Sequence, residues 1–219
     1  MGMSFTDESV AEALAGVRQR VRAAGGDDHV EILAVTKGFG PEAILAAAAA
    51  GAPAIGENYV QELVRKLDAL AGAPELPAVH LIGQLQTNKV RHTAGRVAVY
   101  ETVDRPSLAA ELAKRVPGAT VLIQVATTGA VGKGGCPLAD LDGLADEVAR
   151  LGLQLDGLMT VGPTEGPPED ARTGFRAVRA AVDRMGLRTC SMGMSGDLEV
   201  AVEEGSTRVR VGTALFGNR

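Results

Sequence analysis

The sequence has no tryptophan and few other rings: aromatic residues make up 3% of its 219 positions, two Tyr and four Phe. A core built without them must be aliphatic, packed from Ala, Val and Leu, with the 28 glycines serving many turns. Cysteine is nearly as scarce. Cys136 and Cys190 alone cannot form a disulfide framework or a zinc knot, and they fit reduced thiols in a cytoplasmic protein. The histidines, His29, His80 and His92, stand on separate segments without metal-ligand spacing, so no metal site is expected. Basic runs are missing too, and 22 Lys and Arg against 27 Asp and Glu give a formal net charge of −5. That balance argues against a general binder of nucleic acid or membrane surfaces. It leaves room for one small anion in a local positive pocket. The longest apolar stretch, Ala43–Gly56, is too short for a bilayer and contains Gly51 and Pro53. The N-terminus has neither the basic nor the apolar region of a secretory signal. A soluble cytoplasmic protein is expected.

What the sequence does have is an alternation repeated from end to end. An amphipathic helix over Asp7–Ala24 carries a stripe of Val10, Leu14, Val17 and Val21. Strand-like runs follow, each succeeded by a helical segment except the last, which leads into a short tail: VEILAVTK, AIGEN, AVHLIG, VAVYETV, TVLIQVAT, LQLDGLMTV, RTCSMGM and TRVRVG. The helical segments include PEAILAAAAAG, TNKVRHTAG and ADLDGLADEVARLG. About eight βα units without a linker or a break in composition predict a single domain over 1–219, a TIM-type (β/α)8 barrel with an additional N-terminal helix. The strands read as apolar on both faces, as in a helix-covered parallel sheet.

In such a barrel, functional residues gather at the C-terminal ends of the strands. Lys37 stands there, followed by Gly38. A lysine partly removed from water has a lowered pKa, and its free amine can attack an aldehyde; a solvated strand-end lysine is the ordinary alternative. The SMGMSGD segment, with Ser195 and Gly196, leaves backbone N–H groups uncovered at a helix start, either for an anion or for simple N-capping by Ser195 or Asp197. Alternation along TRVRVG turns Val209 and Val211 one way and Arg208 and Arg210 the other. If the valines meet the helices, Arg210 points into the barrel and needs an acceptor. Gly212 and Thr213 then offer a second set of donors, completing the phosphate cup that barrels often build after their last two strands. Met192 and Met194 suit either core filling or the wall of a flat ring. GAVGKGG lacks the Ser or Thr of a P-loop after Lys133.

Five ordered blocks carry a family resemblance: AVTK with Lys37, GENYVQE (Gly56–Glu62), HLIGQLQTNK (His80–Lys89), SMGMSGD–E (Ser191–Glu199) and EEGSTRVRVGTALFG (Glu203–Gly217). On these the chain resembles the pyridoxal phosphate homeostasis protein family, single-domain relatives of the alanine-racemase barrel (PLP fold type III). The resemblance implies pyridoxal 5′-phosphate (PLP) held as a Schiff base on Lys37. It implies the phosphate at Ser195, Gly196, Gly212 and Thr213, Arg210 facing the pyridine nitrogen, and Asn58 near the ring. The chain departs from the pattern at Gln84, where His is common, at Gly196, often Ser or Asp, and in the loop Thr127–Pro137, which lacks an acidic residue before its Lys-Gly turn.

An arginine opposite the pyridine nitrogen keeps it unprotonated, making the ring a weaker electron sink than one paired with a carboxylate. Racemase relatives add a second domain with a tyrosine base. Here the tyrosines are Tyr59, near the barrel mouth, and Tyr100, inside the fourth strand. The expectation is therefore a protein that buffers or delivers PLP in vitamin B6 and amino-acid or keto-acid balance, without strong turnover and with no catalytic residue assigned. A small PLP-dependent amino-acid racemase is the alternative. A sugar-phosphate aldolase using Lys37 is a third reading. The partners implied are PLP and, transiently, PLP-dependent apo-enzymes. Trimmed loops and no evident apolar docking face point to a monomer.

Overall fold

The computed structural model describes residues 5–73, 75–127, 134–163 and 165–217. Residues 128–133, within the departing loop and including Lys133, lie outside them.

Helix α1 (Asp7–Ala23) starts at a reciprocal cap, in which the Ser9 amide donates to Thr6 Oγ1 at 3.1 Å and the Thr6 amide to Ser9 Oγ at 2.9 Å. Asp7 and Glu8 in its first turn and Arg20 and Arg22 in its last complement the helix dipole. The predicted stripe of Val10, Leu14, Val17 and Val21 is its buried face. Strands β1 (Glu31–Val35), β2 (Ala54–Glu57), β3 (Ala78–Leu81), β4 (Val99–Val103) and β5 (Thr120–Ala126) follow. After a two-residue strand β6 (Cys136–Pro137) come β7 (Gln154–Met159), β8 (Thr189–Ser191) and β9 (Arg208–Val211). All pair in parallel, and β4 with β5 and β1 with β9 close eight of them into a barrel, β6 lying alongside β5. Helices α2 (Glu42–Ala49), α3 (Val60–Ala69), α4 (Pro106–Arg115), α5 (Leu141–Arg150), α6 (Arg172–Arg184), α7 (Leu198–Glu203) and α8 (Thr213–Phe216) complete the βα alternation.

The unit after β3 differs from the expected α-helix. Thr87–His92 form a 3-10 helix whose one buried residue is Val90, too narrow an apolar face to dock an α-helix. Its last turn is tied by Thr93, which donates to the Val90 carbonyl and shares a 2.8 Å bond with the Tyr100 hydroxyl. Strand one is also shorter than the apolar run VEILAVTK. It ends at Val35, and Thr36–Phe39 turn back, the Phe39 amide donating to the Thr36 carbonyl at 3.2 Å. Gly38 takes φ +78° in that turn, which only glycine adopts without strain.

Alternate strand residues meet the helices in two aliphatic clusters, among them Ile32, Ala34, Ile55, Val209 and Val211 in one and Val121, Ile123, Leu158 and Cys190 in the other. The opposite faces turn to the lumen, and there the expectation of strands apolar on both faces is corrected. The closing register pairs Glu31 with Arg208 and Leu33 with Arg210. It brings an arginine-rich strand face against acids from other strands, contacts that single-strand apolarity does not encode.

Candidate functional site

The C-terminal mouth of the barrel holds a cavity of about 440 Å³, within the range of small-molecule sites. Lys37, Ser195, Gly196, Arg210, Gly212 and Thr213 all line it, together with Met194 and Phe39. Asn58 is the exception among the expected residues. It lines an adjoining chamber of about 250 Å³ with Gln84, Gln124 and Thr127, and Ile82 borders both. Asn58 Oδ1 is buried without a hydrogen-bond partner among the described residues.

Each wall follows from local sequence. Lys37, half-buried, rides the tight Thr36–Phe39 turn. Phe39 packs edge-on with Phe5 and meets Phe216 at a ring separation of 5.4 Å, so the turn is tied to helix α8 and to the N-terminal segment. On the far side, neither α7 nor α8 has a side-chain N-cap. The capping alternative for Asp197 thus does not apply: its carboxylate accepts the Met194 amide at 2.6 Å instead, closing the loop that carries Ser195 and Gly196. Arg20, which sequence reasoning passed over, reaches from α1 to donate to the Ser195 carbonyl at 2.9 Å while gripping both oxygens of Glu199. A Cβ built on Gly212 would stand 3.1 Å from the Val35 carbonyl oxygen, so any side chain there would press on the end of β1. The two methionines divide the roles offered for them: Met192 is buried core and Met194 is cavity wall.

Beneath the cavity lies a buried charged network. Arg210 does point inward, as the alternation requires, and its acceptors are the Ser191 hydroxyl at 2.8 Å and the Thr160 carbonyl at 2.6 Å. Ser191 in turn donates to Glu101 Oε2 at 2.6 Å, and Glu101 Oε1 meets His80 Nδ1 at 2.7 Å and Arg208 at 3.1 Å. Arg208 also grips Glu31, its register partner, at 2.8 Å. Burial acts to raise the Glu101 carboxyl, but His80, Arg208 and Arg210 overcome it and hold the group at about 2. Burial pulls the Arg210 guanidinium down, against the opposing fields of Glu101 and Asp197. Chemically the mouth offers an amine on one wall, a fixed guanidinium below, and glycine-rich backbone at two uncapped helix starts. That set suits a small planar aldehyde bearing a phosphate.

Comparison with known proteins fits this geometry. The family model described as alanine racemase, N-terminal domain, matches residues 11–219. A pyridoxal phosphate homeostasis protein of Pseudomonas aeruginosa is 39% identical over 225 residues, 99% of this chain and 97% of that one. The structure of PipY from Synechococcus elongatus with PLP bound superposes with a TM-score of 0.83 at 32% identity, covering 95% of this chain and all of that one. An alanine racemase of Clostridium difficile, 13% identical with a TM-score of 0.72, shares the fold over 95% of this chain and 57% of its own.

Proposed function

The chain belongs to the pyridoxal phosphate homeostasis protein family, and from that premise we propose that it carries PLP as a Schiff base on Lys37, buffering and delivering the cofactor without strong turnover of its own. The observation that carries this reading is the convergence of Lys37, Arg210 and the two glycine-bearing loops on one cavity. The residues fit the group. The close backbone approach at Gly212 and the uncapped starts of α7 and α8 leave room and donors for a phosphate, and in the adjoining chamber the buried Asn58 Oδ1 is an acceptor with no donor among the described residues.

When bound, the cofactor would supply an aldehyde open to the Lys37 amine and a ring able to withdraw electrons. The chain's own residues set how far that goes. Ser195, Gly196, Gly212 and Thr213 hold the phosphate. Arg210, locked by Ser191 and Thr160, keeps a positive charge in place and disfavours protonation of a nitrogen set against it. Asn58, which lines the adjoining chamber, would border the ring.

Racemisation needs a second base on the opposite face of the substrate carbon. Tyr59 is 59% exposed and lines neither chamber, and Tyr100 is buried with its hydroxyl bonded to Thr93. This weighs against the racemase alternative. Among the described residues no helix is long and apolar enough to cross a membrane, and both cysteines are free and buried, which suits the cytoplasm. The reading extends to a monomer whose partners are PLP and, in passing, PLP-dependent apo-enzymes. The test is to incubate the loaded protein with L-alanine in deuterated water, and separately with an apo-enzyme of this class. Transfer of activity to the apo-enzyme, with no appreciable D-isomer or α-deuterium, is expected. Sustained racemisation at ordinary enzyme rates, lost in Lys37→Ala, would establish the racemase instead.

A further inference from the structure

Behind the Lys37 turn, on the side away from the cavity, lies a buried ion cluster that none of the roles above uses. Lys66 on α3 is 4% exposed, and its ammonium makes three contacts: the Thr36 carbonyl at 2.8 Å, Glu57 Oε1 at 2.6 Å and Glu62 Oε1 at 2.6 Å. Two of its donors are hydrogen-bonded, to the Thr36 carbonyl and Glu57, and Glu62 completes the cluster as an ion pair. The two carboxylates are themselves committed to the residues flanking Lys37. The Thr36 hydroxyl donates to Glu57 Oε1 at 2.6 Å, and the Gly38 amide donates to Glu62 Oε1 at 2.5 Å. The Thr36 amide completes the set by donating to the Gly56 carbonyl on β2 at 3.1 Å.

Such a cluster is a poor way to stabilise a fold. Desolvating two carboxylates and an ammonium costs several kcal/mol per ion, and an aliphatic replacement is often as stable. Among the described residues Glu57 Oε2 is buried without a hydrogen-bond partner, and burial pushes the Glu57 carboxyl up despite Lys66 and Thr36. What the cluster secures is local. Its bonds outside itself end on Thr36 and Gly38, one residue to either side of Lys37. Gly38, with φ +78°, is also the residue whose conformation sets the direction of the turn.

We propose that Glu57, Glu62 and Lys66 are positioning residues that clamp the backbone on both sides of Lys37, so that its amine is presented to the cavity by side-chain rotation alone. The proposal rests on the reading of Lys37 as the attachment point. It explains why the GENYVQE block carries two acids beside Asn58: Asn58 lines the adjoining chamber, while Glu57 and Glu62 serve the lysine from behind. Holding a reacting group in geometry is worth large rate factors, and a loosened turn should slow attachment while leaving the phosphate cup intact.

The test separates attachment from non-covalent binding with two ligands. PLP reads both, whereas pyridoxine 5′-phosphate, which has no aldehyde, reads the cup alone. In Glu62→Ala the rate of PLP attachment, followed by visible absorption in stopped flow, should fall on the order of tenfold, with pyridoxine 5′-phosphate affinity unchanged. Glu62→Gln, whose amide oxygen still accepts the Gly38 N–H, should recover most of the rate. Thr36→Val, which removes only the bond to Glu57, provides a second probe should Glu62→Ala melt early, and should show the same split between ligands. Equal loss with both ligands, or an undiminished attachment rate in both Glu62→Ala and Thr36→Val, would overturn the clamp. Failure of borohydride to fix a pyridoxyl group on Lys37 of the wild-type protein would instead remove the reading beneath it, and that outcome is told apart because it needs no variant.

Discussion

Replacing Glu101 by Gln removes one negative charge from the barrel lumen while keeping the shape of the side chain. The wild-type carboxylate accepts from His80, Arg208 and Ser191 at 2.7, 3.1 and 2.6 Å, and it is completely buried. Holding this carboxyl at about 2 rather than its ordinary 4.5 favours the folded chain by about 3 kcal/mol at neutral pH. Because the folded value is depressed, that stability is fully present above about 4.5 and drains away as pH falls towards 2. The variant never has it. The difference between the two proteins should therefore be about 3 kcal/mol at pH 7, about 2 at pH 3.5 and about 1 at pH 3. Urea unfolding of apo-protein at these pH values measures it, and at neutral pH the melting temperature should drop by roughly 6–12 °C. Titrating groups out of reach of Glu101 are common to both proteins and cancel. A deficit that stays constant from pH 7 to pH 3 would refute the account of the lumen as a network organised by an ionised Glu101.

Three further outcomes follow from the cup and the thiols. Gly212→Val brings a side chain against the Val35 carbonyl and into the cavity, and should weaken PLP retention by about 2–3 kcal/mol; Thr213→Ala should cost about 1 kcal/mol, and equal affinity in Gly212→Val and wild type, by equilibrium dialysis, would refute the cup. Arg20→Ala frees the Ser195 carbonyl and Glu199, and should speed cofactor release several-fold with stability changed by less than about 1 kcal/mol; an unchanged off-rate would separate α1 from the cup. Burial pushes the Cys190 thiol up to about 11 and raises that of Cys136, so native protein should resist a thiol reagent at pH 8 that titrates both after denaturation; rapid native labelling of Cys190 would contradict its burial.

The barrel is legible in the chain because its rule is local: each strand and each helix declares itself by its own periodicity, and parallel pairing with short connections leaves few ways to close them. That Ser195, Gly196, Gly212 and Thr213 would line one cavity was legible for a related reason. They lie at strand ends, where the architecture itself gathers function, and Arg210 follows from alternation against Val209 and Val211. What stayed hidden depends on partners from different strands. Nothing around Glu101 in sequence indicates that His80, Ser191 and Arg208 will surround it, since barrel closure and register make that meeting. Lys66 reads as one more polar position on an amphipathic helix, and only the packing of α3 against β2 turns it to the Thr36 carbonyl. Thr87–His92 misled because a helical composition does not reveal how little apolar surface the segment has to bury.

The central claim is that Lys37 is the residue through which this chain holds its cofactor. Protein loaded with PLP is reduced with borohydride, digested, and mapped by mass spectrometry, alongside Lys37→Ala treated identically. The account predicts a single pyridoxyl-modified peptide carrying Lys37, loss of the visible absorption on reduction, and neither absorption nor label in Lys37→Ala. A label on another lysine, or absorption retained in Lys37→Ala, would contradict it.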